Sequence, residues 1–101
     1  MAVKQQLFDA GYVIRTPSAS SAMRQAGVSE WSLLERHQSG DFGDIGAVLR
    51  CSNRRALRYQ GRVCSAYVIR GRQAVWVITE LGRRTTTLLT PADGTMIARK
   101  Q

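Results

Sequence analysis

The chain has 101 residues, 44% hydrophobic and 22% charged, with a formal net charge of +8. That is too apolar for a disordered chain, and long enough for one domain that buries roughly 60–65% of the surface its unfolded form would expose. The two cysteines, Cys51 and Cys64, form no CxxC pair and have no nearby histidine to complete a zinc ligand set, so a reduced, cytoplasmic setting without metal or cofactor is the simplest expectation. The longest apolar run, 74–79, is too short to span a bilayer, and the start of the chain lacks the basic-then-apolar plan of a signal peptide, which argues against membrane insertion and secretion.

In chain order, Val3, Leu7 and Ala10 recur at helical spacing and predict a short helix over 3–10, with Gly11 as its left-handed stop. Residues 12–15 (YVIR) read as a brief strand. Thr16 is a good N-cap and Pro17 a good first helical residue, because the proline's missing N–H would have no intrahelical partner there; a helix from 17 to about 26 follows, closed by Gly27. Ser29 caps the next helix, with Val28 and Leu33 as a hydrophobic staple, and that helix runs to about Gln38. It stops at the loop Ser39-Gly40-Asp41-Phe42-Gly43-Asp44, after which Asp44 is placed to cap a third helix over 45–60, halted by Gly61.

The remainder alternates at period two, the mark of half-buried strands, over 62–70, 73–80 and 84–90, with Gly71-Arg72 and Gly82-Arg83 as hairpin turns. Pro91 ends this three-stranded meander, and residues 92–101 read as a loose tail. The fold class is therefore α+β in the order α-β-α-α-α-β-β-β. Helices cover one face of a small antiparallel sheet, residues 12–15 join an edge or pair with a late strand, and the other face is open. Trp76 reads as core, whereas Trp31, in a first helical turn, reads as core or surface anchor.

Charge is concentrated in one third of the chain. Residues 50–84 carry nine arginines, Arg50, Arg54, Arg55, Arg58, Arg62, Arg70, Arg72, Arg83 and Arg84, against one acid, Glu80. Arginine's planar fork suits bidentate grip of phosphate or carboxylate, so the cluster points to an anionic partner, either nucleic acid or an acidic protein surface. Arg50, Arg54 and Arg58 recur at i, i+4 and i+8, placing three like charges on one face of the third helix, where each neighbouring pair repels by a few tenths of a kcal/mol. Arg62, and Arg70 with Arg72 at a hairpin tip, extend that stripe in this reading, with Tyr59 or Tyr67 available for base stacking.

Two other constellations carry possible chemistry. His37 is the single histidine and ends a helix, where it either bonds the last carbonyls or acts as a proton shuttle. The second role would make a metal-independent ribonuclease of His37 with Thr79 or Thr87, Tyr67, and Arg62 or Arg84 as cationic stabiliser. Asp41 and Asp44 are read as turn-forming side chains bonded to backbone rather than as a metal pair, and Phe42 between them as a plug that pins the loop to the core.

Leu33 to Asp44 (LLERHQSGDFGD), Asn53 with Ala56-Leu57, Gly61-Arg62, Ser65-Ala66-Tyr67, Val75 to Glu80 (VWVITE), Thr86-Thr87-Leu88-Leu89 and Pro91 form an ordered set. Together they resemble the small "plasmid-related" proteins of bacterial mobile elements, whose pattern begins near a Thr-Pro, here Thr16-Pro17. Those proteins are often labelled as a restriction-enzyme modification subunit, but this chain lacks a methyltransferase's glycine-rich cofactor loop and its length. The resemblance implies a plasmid or phage setting. From it follows the expectation of a non-enzymatic counter-defence inhibitor, of the anti-CRISPR or anti-restriction kind, whose arginines dock on a host protein or ribonucleoprotein with an acidic surface, or on nucleic acid. A small DNA-binding regulator that uses the third helix is the remaining alternative.

Overall fold

The expected helix starts hold where cap chemistry is strongest. In the computed structural model, which describes residues 5–71 and 73–93, the Thr16 hydroxyl accepts the Ala19 N–H and Pro17 opens α1 (Pro17–Ala26), which closes on Gly27 in the left-handed region. Ser29 accepts the Trp31 N–H and starts α2 (Glu30–Gln38). Val28 and Leu33, the two arms of the staple, both join the main core cluster.

The third helix, α3 (Ala47–Tyr59), departs from expectation at both ends. Gly46 occupies the N-cap without a side-chain bond, and the left-handed C-cap is Gln60 rather than Gly61. Asp44 does not cap it, because its carboxylate accepts the N–H of Val68 on a neighbouring strand.

The strands are β1 (Tyr12–Arg15), β2 (Val63–Arg70), β3 (Gln73–Thr79) and β4 (Thr85–Leu89), in the spatial order β1-β4-β3-β2. The last three form the predicted antiparallel meander. β1 pairs with β4 in parallel, so the sheet is mixed rather than wholly antiparallel, a direction that side-chain alternation does not encode. The connection between β3 and β4 is longer than a two-residue turn: the Glu80 N–H bonds the Thr85 carbonyl, and Arg83 takes a positive φ of 61°.

The fold class is α+β, as expected, but its first element is not a helix. Residues 5–10 form an irregular strap, and residues 1–4 lie outside the described part. Three of the strap's backbone groups are met from outside it. The Leu7 N–H donates to the Gln38 carbonyl at 2.7 Å, the Gln38 side chain donates to the Phe8 carbonyl at 2.9 Å, and the Thr86 hydroxyl donates to the Ala10 carbonyl at 2.7 Å. Phe8 is buried while Leu7 is largely exposed, so tertiary contacts override the helical spacing. Gly11 turns the strap into β1, with a positive φ and no room for a Cβ against the Arg84 carbonyl.

Helices cover the sheet face built from Ser65 and Tyr67, Val75, Val77 and Thr79, and Thr86 and Leu88. Ala19, Ala22, Met23, Leu33 and Leu34 pack on it, and a second cluster joins Phe8, Phe42, Ala56 and Val63 beside α3. Trp76, expected in the core, is only half-buried, because the alternation that points Val75 and Val77 at the helices points it at the opposite face, across from Leu89.

β2 is an edge strand whose outward backbone is occupied. Asn53 on α3 donates to the Cys64 carbonyl at 2.7 Å and accepts its N–H at 3.0 Å. The Ala66 N–H donates to the Phe42 carbonyl at 3.1 Å, and the Ala66 carbonyl accepts from the Asp44 N–H at 2.6 Å. The loop at 42–44 thus runs alongside β2 and closes an edge that would otherwise template further strands. Gly43 is required there, since a Cβ would fall on the Ala66 carbonyl oxygen and the Tyr67 ring.

After β4, Asp93 accepts from the Ser18 hydroxyl at 2.5 Å, the Thr90 N–H at 3.2 Å and the Thr16 hydroxyl at 2.9 Å, which together hold its carboxyl down at about 2. The expected loose tail otherwise falls on 94–101, outside the described residues. Among the described residues no helix is long and apolar enough to cross a membrane.

Candidate anion-docking site

The structure divides the nine arginines by what their guanidinium groups touch. Four are tied to the fold. Arg50 donates to the carbonyls of Gly43 and Ile45, both at 3.2 Å, and so leaves the stripe predicted for it with Arg54 and Arg58. Arg62 pairs with Glu80, its Nε 3.3 Å from the carboxylate. Arg70 donates to the Gln25 carbonyl at 2.8 Å, near the end of α1. Arg83 donates to the Ala56 carbonyl at 2.8 Å in the last turn of α3 and lies over the Phe8 ring, 4.8 Å from its centroid. Arg70 and Arg83 thus sit at helix C-termini, where cations meet the orphan carbonyls and the negative end of the dipole.

The guanidinium groups of Arg54, Arg55, Arg58 and Arg84, all exposed residues, make no hydrogen bond or ion pair with the described residues. The first three belong to the outward side of α3, opposite the buried Asn53 and Ala56 that fix the helix to β2 and the second core cluster. With Cys51 and Tyr59 they line a shallow depression of about 320 Å³. Arg84 lies in the β3–β4 loop, which the Gly82 N–H ties to the Gln60 carbonyl at the end of α3. Arg70 sits at the far end of β2, about 25 Å from Arg62 at ~3.3 Å per residue, so it does not extend the α3 surface; Arg72 lies outside the described residues. The predicted single stripe is therefore a smaller group of three arginines plus separate basic positions.

Val48 and Tyr59 complete the outward side of α3 at its two ends, 86% and 73% exposed. Val48 did not figure among the sequence expectations. The signal that locates it is the seam Val48, Cys51, Arg55, Tyr59 at i, i+3, i+7 and i+11, opposite Asn53.

The ribonuclease constellation is partly assembled and wholly enclosed. His37 has no exposed surface; its Nδ1 lies 2.6 Å from the Ser65 hydroxyl and its Nε2 2.8 Å from that of Thr79. Thr79 is in turn 2.6 Å from the Thr86 hydroxyl. The Ala10 carbonyl only accepts, so Thr86 donates to it, and each hydroxyl has a single proton. Thr79 must then donate to Thr86, His37 must donate through Nε2, and Nδ1 must accept from Ser65. Burial, helped by the charge of Arg83, pushes the imidazole down to about 3, so it is the neutral tautomer at pH 7.

His37 thus neither bonds the last carbonyls of α2 nor faces solvent as a proton shuttle. Tyr67 is buried, donates to the Asp41 carbonyl at 2.6 Å and lies beneath Arg36, whose guanidinium is 4.4 Å from the ring centroid. Burial raises its phenol far above the ordinary value. Thr87 points to the opposite sheet face, between Ile14 and Ile78, Arg62 is paired with Glu80, and Arg84 is exposed. The residues missing from the sequence reading were Ser65 and Thr86, the polar residues at inward strand positions.

Phe42 is buried, as the plug reading requires, and Asp41 accepts the Gly43 N–H at 3.2 Å within its turn while pairing with Arg36 at 2.7 Å. Trp31 is 70% exposed and so is a surface residue. Among the described residues no cluster of histidine, cysteine and carboxylate side chains could hold a metal ion. The cysteines are free, Cys51 exposed and Cys64 part-buried with its thiol pushed up by desolvation. No family model, curated protein or solved structure matches the chain.

Proposed function

We propose that this protein is a non-enzymatic binding module that docks the outward side of α3 on an anionic surface of a larger partner. The observation that carries this reading is the convergence of Arg54, Arg55 and Arg58 around one depression without an acidic neighbour among the described residues. Three like charges so placed raise the free energy of the isolated chain slightly and lower that of a complex with carboxylates or phosphates. The mobile-element setting implied by the motif resemblance gives the class of partner, a nucleic-acid-processing machine of the host. Inhibition would be steric, the module occupying a surface that the machine's own ligand needs.

Retention on heparin-agarose, used as a polyanion probe, tests the docking surface. Arg55→Glu should elute at clearly lower salt than Arg24→Glu, an equal charge change at an exposed position on α1, whereas equal elution would remove the α3 assignment. Plasmid transformation into cells with active restriction or CRISPR interference tests the biological role. Expression of the protein should raise the yield, and the triple variant Arg54→Glu, Arg55→Glu, Arg58→Glu should not. No rise with the unaltered protein against either system would reject the counter-defence role.

A further inference from the structure

The docking reading leaves open whether carboxylates or phosphates receive the arginines, and the apolar part of the same helix side bears on that choice. The positive charge of α3's outward side is confined to its second half, from Arg54 onward; the first half presents Ala47, Val48, Cys51 and Ser52. Val48 is 86% exposed, and Tyr59, at the other end of the helix, is 73% exposed. The seam Val48, Cys51, Arg55, Tyr59 has the i, i+3, i+7, i+11 spacing with which an amphipathic helix lies in a groove of another protein. A helix that tracked phosphates would gain from cations along its whole length and nothing from an uncharged first turn. Exposed tyrosine and arginine beside aliphatic surface form the composition of a protein-binding hot spot. A second copy of this chain is a poor occupant, since the partner must offer negative charge and this chain carries +8.

Resting on the docking reading above, we infer that α3 inserts as a helix into an apolar groove of a protein partner whose rim bears carboxylates. Val48 and Tyr59 are its apolar anchors, and Arg54, Arg55 and Arg58 pair with the rim.

The experiment uses the full chain with the photo-crosslinking substitution Val48→p-benzoylphenylalanine, irradiated in bacterial extract with and without prior nuclease digestion. In parallel, fluorescent 20-base-pair duplex DNA and a 20-nucleotide RNA serve as direct probes. The expected adduct is a protein, survives nuclease, and maps to a peptide rich in aspartate and glutamate. Its yield should fall about tenfold when Tyr59→Ala is added, and about tenfold or more with Arg54→Glu, Arg55→Glu and Arg58→Glu. Circular dichroism melting is run on each variant so that loss of adduct is scored only in folded protein. Absence of an adduct, its loss on nuclease treatment, or its indifference to Tyr59→Ala would overturn the helix-in-groove inference. Tight, salt-sensitive binding of either nucleic acid that depends on the three arginines would overturn it while sparing the broader docking reading. Indifference of both adduct and nucleic-acid binding to the triple arginine reversal would bring down the two together.

Discussion

The buried chain from Ser65 through His37, Thr79 and Thr86 to the Ala10 carbonyl and the arginines on the outward side of α3 treat polar groups in opposite ways. In the first, every hydroxyl proton and both imidazole nitrogens are committed to a partner within the chain. In the second, three guanidinium groups have no partner in the described chain at all. The contrast shows that residue chemistry alone does not locate function. A histidine beside hydroxyls resembles a catalytic set until its exposure is known, and an arginine resembles a ligand-binding group until its carbonyl partners are known.

The contrast is broken most forcefully at the histidine. His37→Ala removes the hub of the chain and leaves Ser65 and Thr79 hydroxyls buried without their partner, so equilibrium urea unfolding should show a loss of about 3–4 kcal/mol. Acid provides the same test without mutation. Because burial holds the folded imidazole near 3 against 6.5 in the unfolded chain, the unfolded state takes up the proton first. Stability should be fully present above pH 6.5 and decline at up to about 1.4 kcal/mol per unit as pH falls toward 4. His37→Gln should flatten that slope. Asp93, with its carboxyl held down at about 2, acts in a separate, lower window, as pH falls through the range below 3.8.

Smaller effects separate the tied from the untied groups at the surface. Asn53→Ala uncovers both backbone groups of Cys64 on the β2 edge and should lower stability by about 2 kcal/mol. It should also raise thioflavin-positive aggregation on mild heating. Arg83→Ala, which strips a carbonyl partner from α3 and the cation above Phe8, should lower it by about 1 kcal/mol. Arg54→Gln, Arg55→Gln and Arg58→Gln together should change it by less than about 0.5 kcal/mol while weakening heparin retention most. A large stability loss in that last variant would mean that these arginines serve the fold after all.

Legibility followed the range of each interaction. Caps at Thr16, Ser29 and Gly27 were readable because a helix end is decided by its own few residues. Strand positions were readable from period-two alternation, but not the parallel pairing of β1, whose partner lies some seventy residues away. Asp44 reads as a helix cap because its best partner, the Val68 N–H, is 24 residues distant. His37 reads as a helix-end residue for the same reason, its partners lying 28 and 42 residues on. Helical spacing correctly joined Arg54 with Arg58, yet it could not show that Arg50 folds back on two backbone carbonyls, since every residue type offers a carbonyl.

The parallel pairing of β1 with β4 also fixes when the molecule can finish folding during synthesis. Residues 12–15 emerge early but have no strand to join until 85–88 are made, and Thr16 and Ser18 wait still longer for Asp93. The helices and the meander hairpin rest on nearer contacts and are free to form first, whereas closure of the sheet carries the loop entropy of nearly the whole chain. A nascent chain stalled before Thr85 would therefore present β1 without its partner strand and the Ala10 carbonyl without the Thr86 hydroxyl.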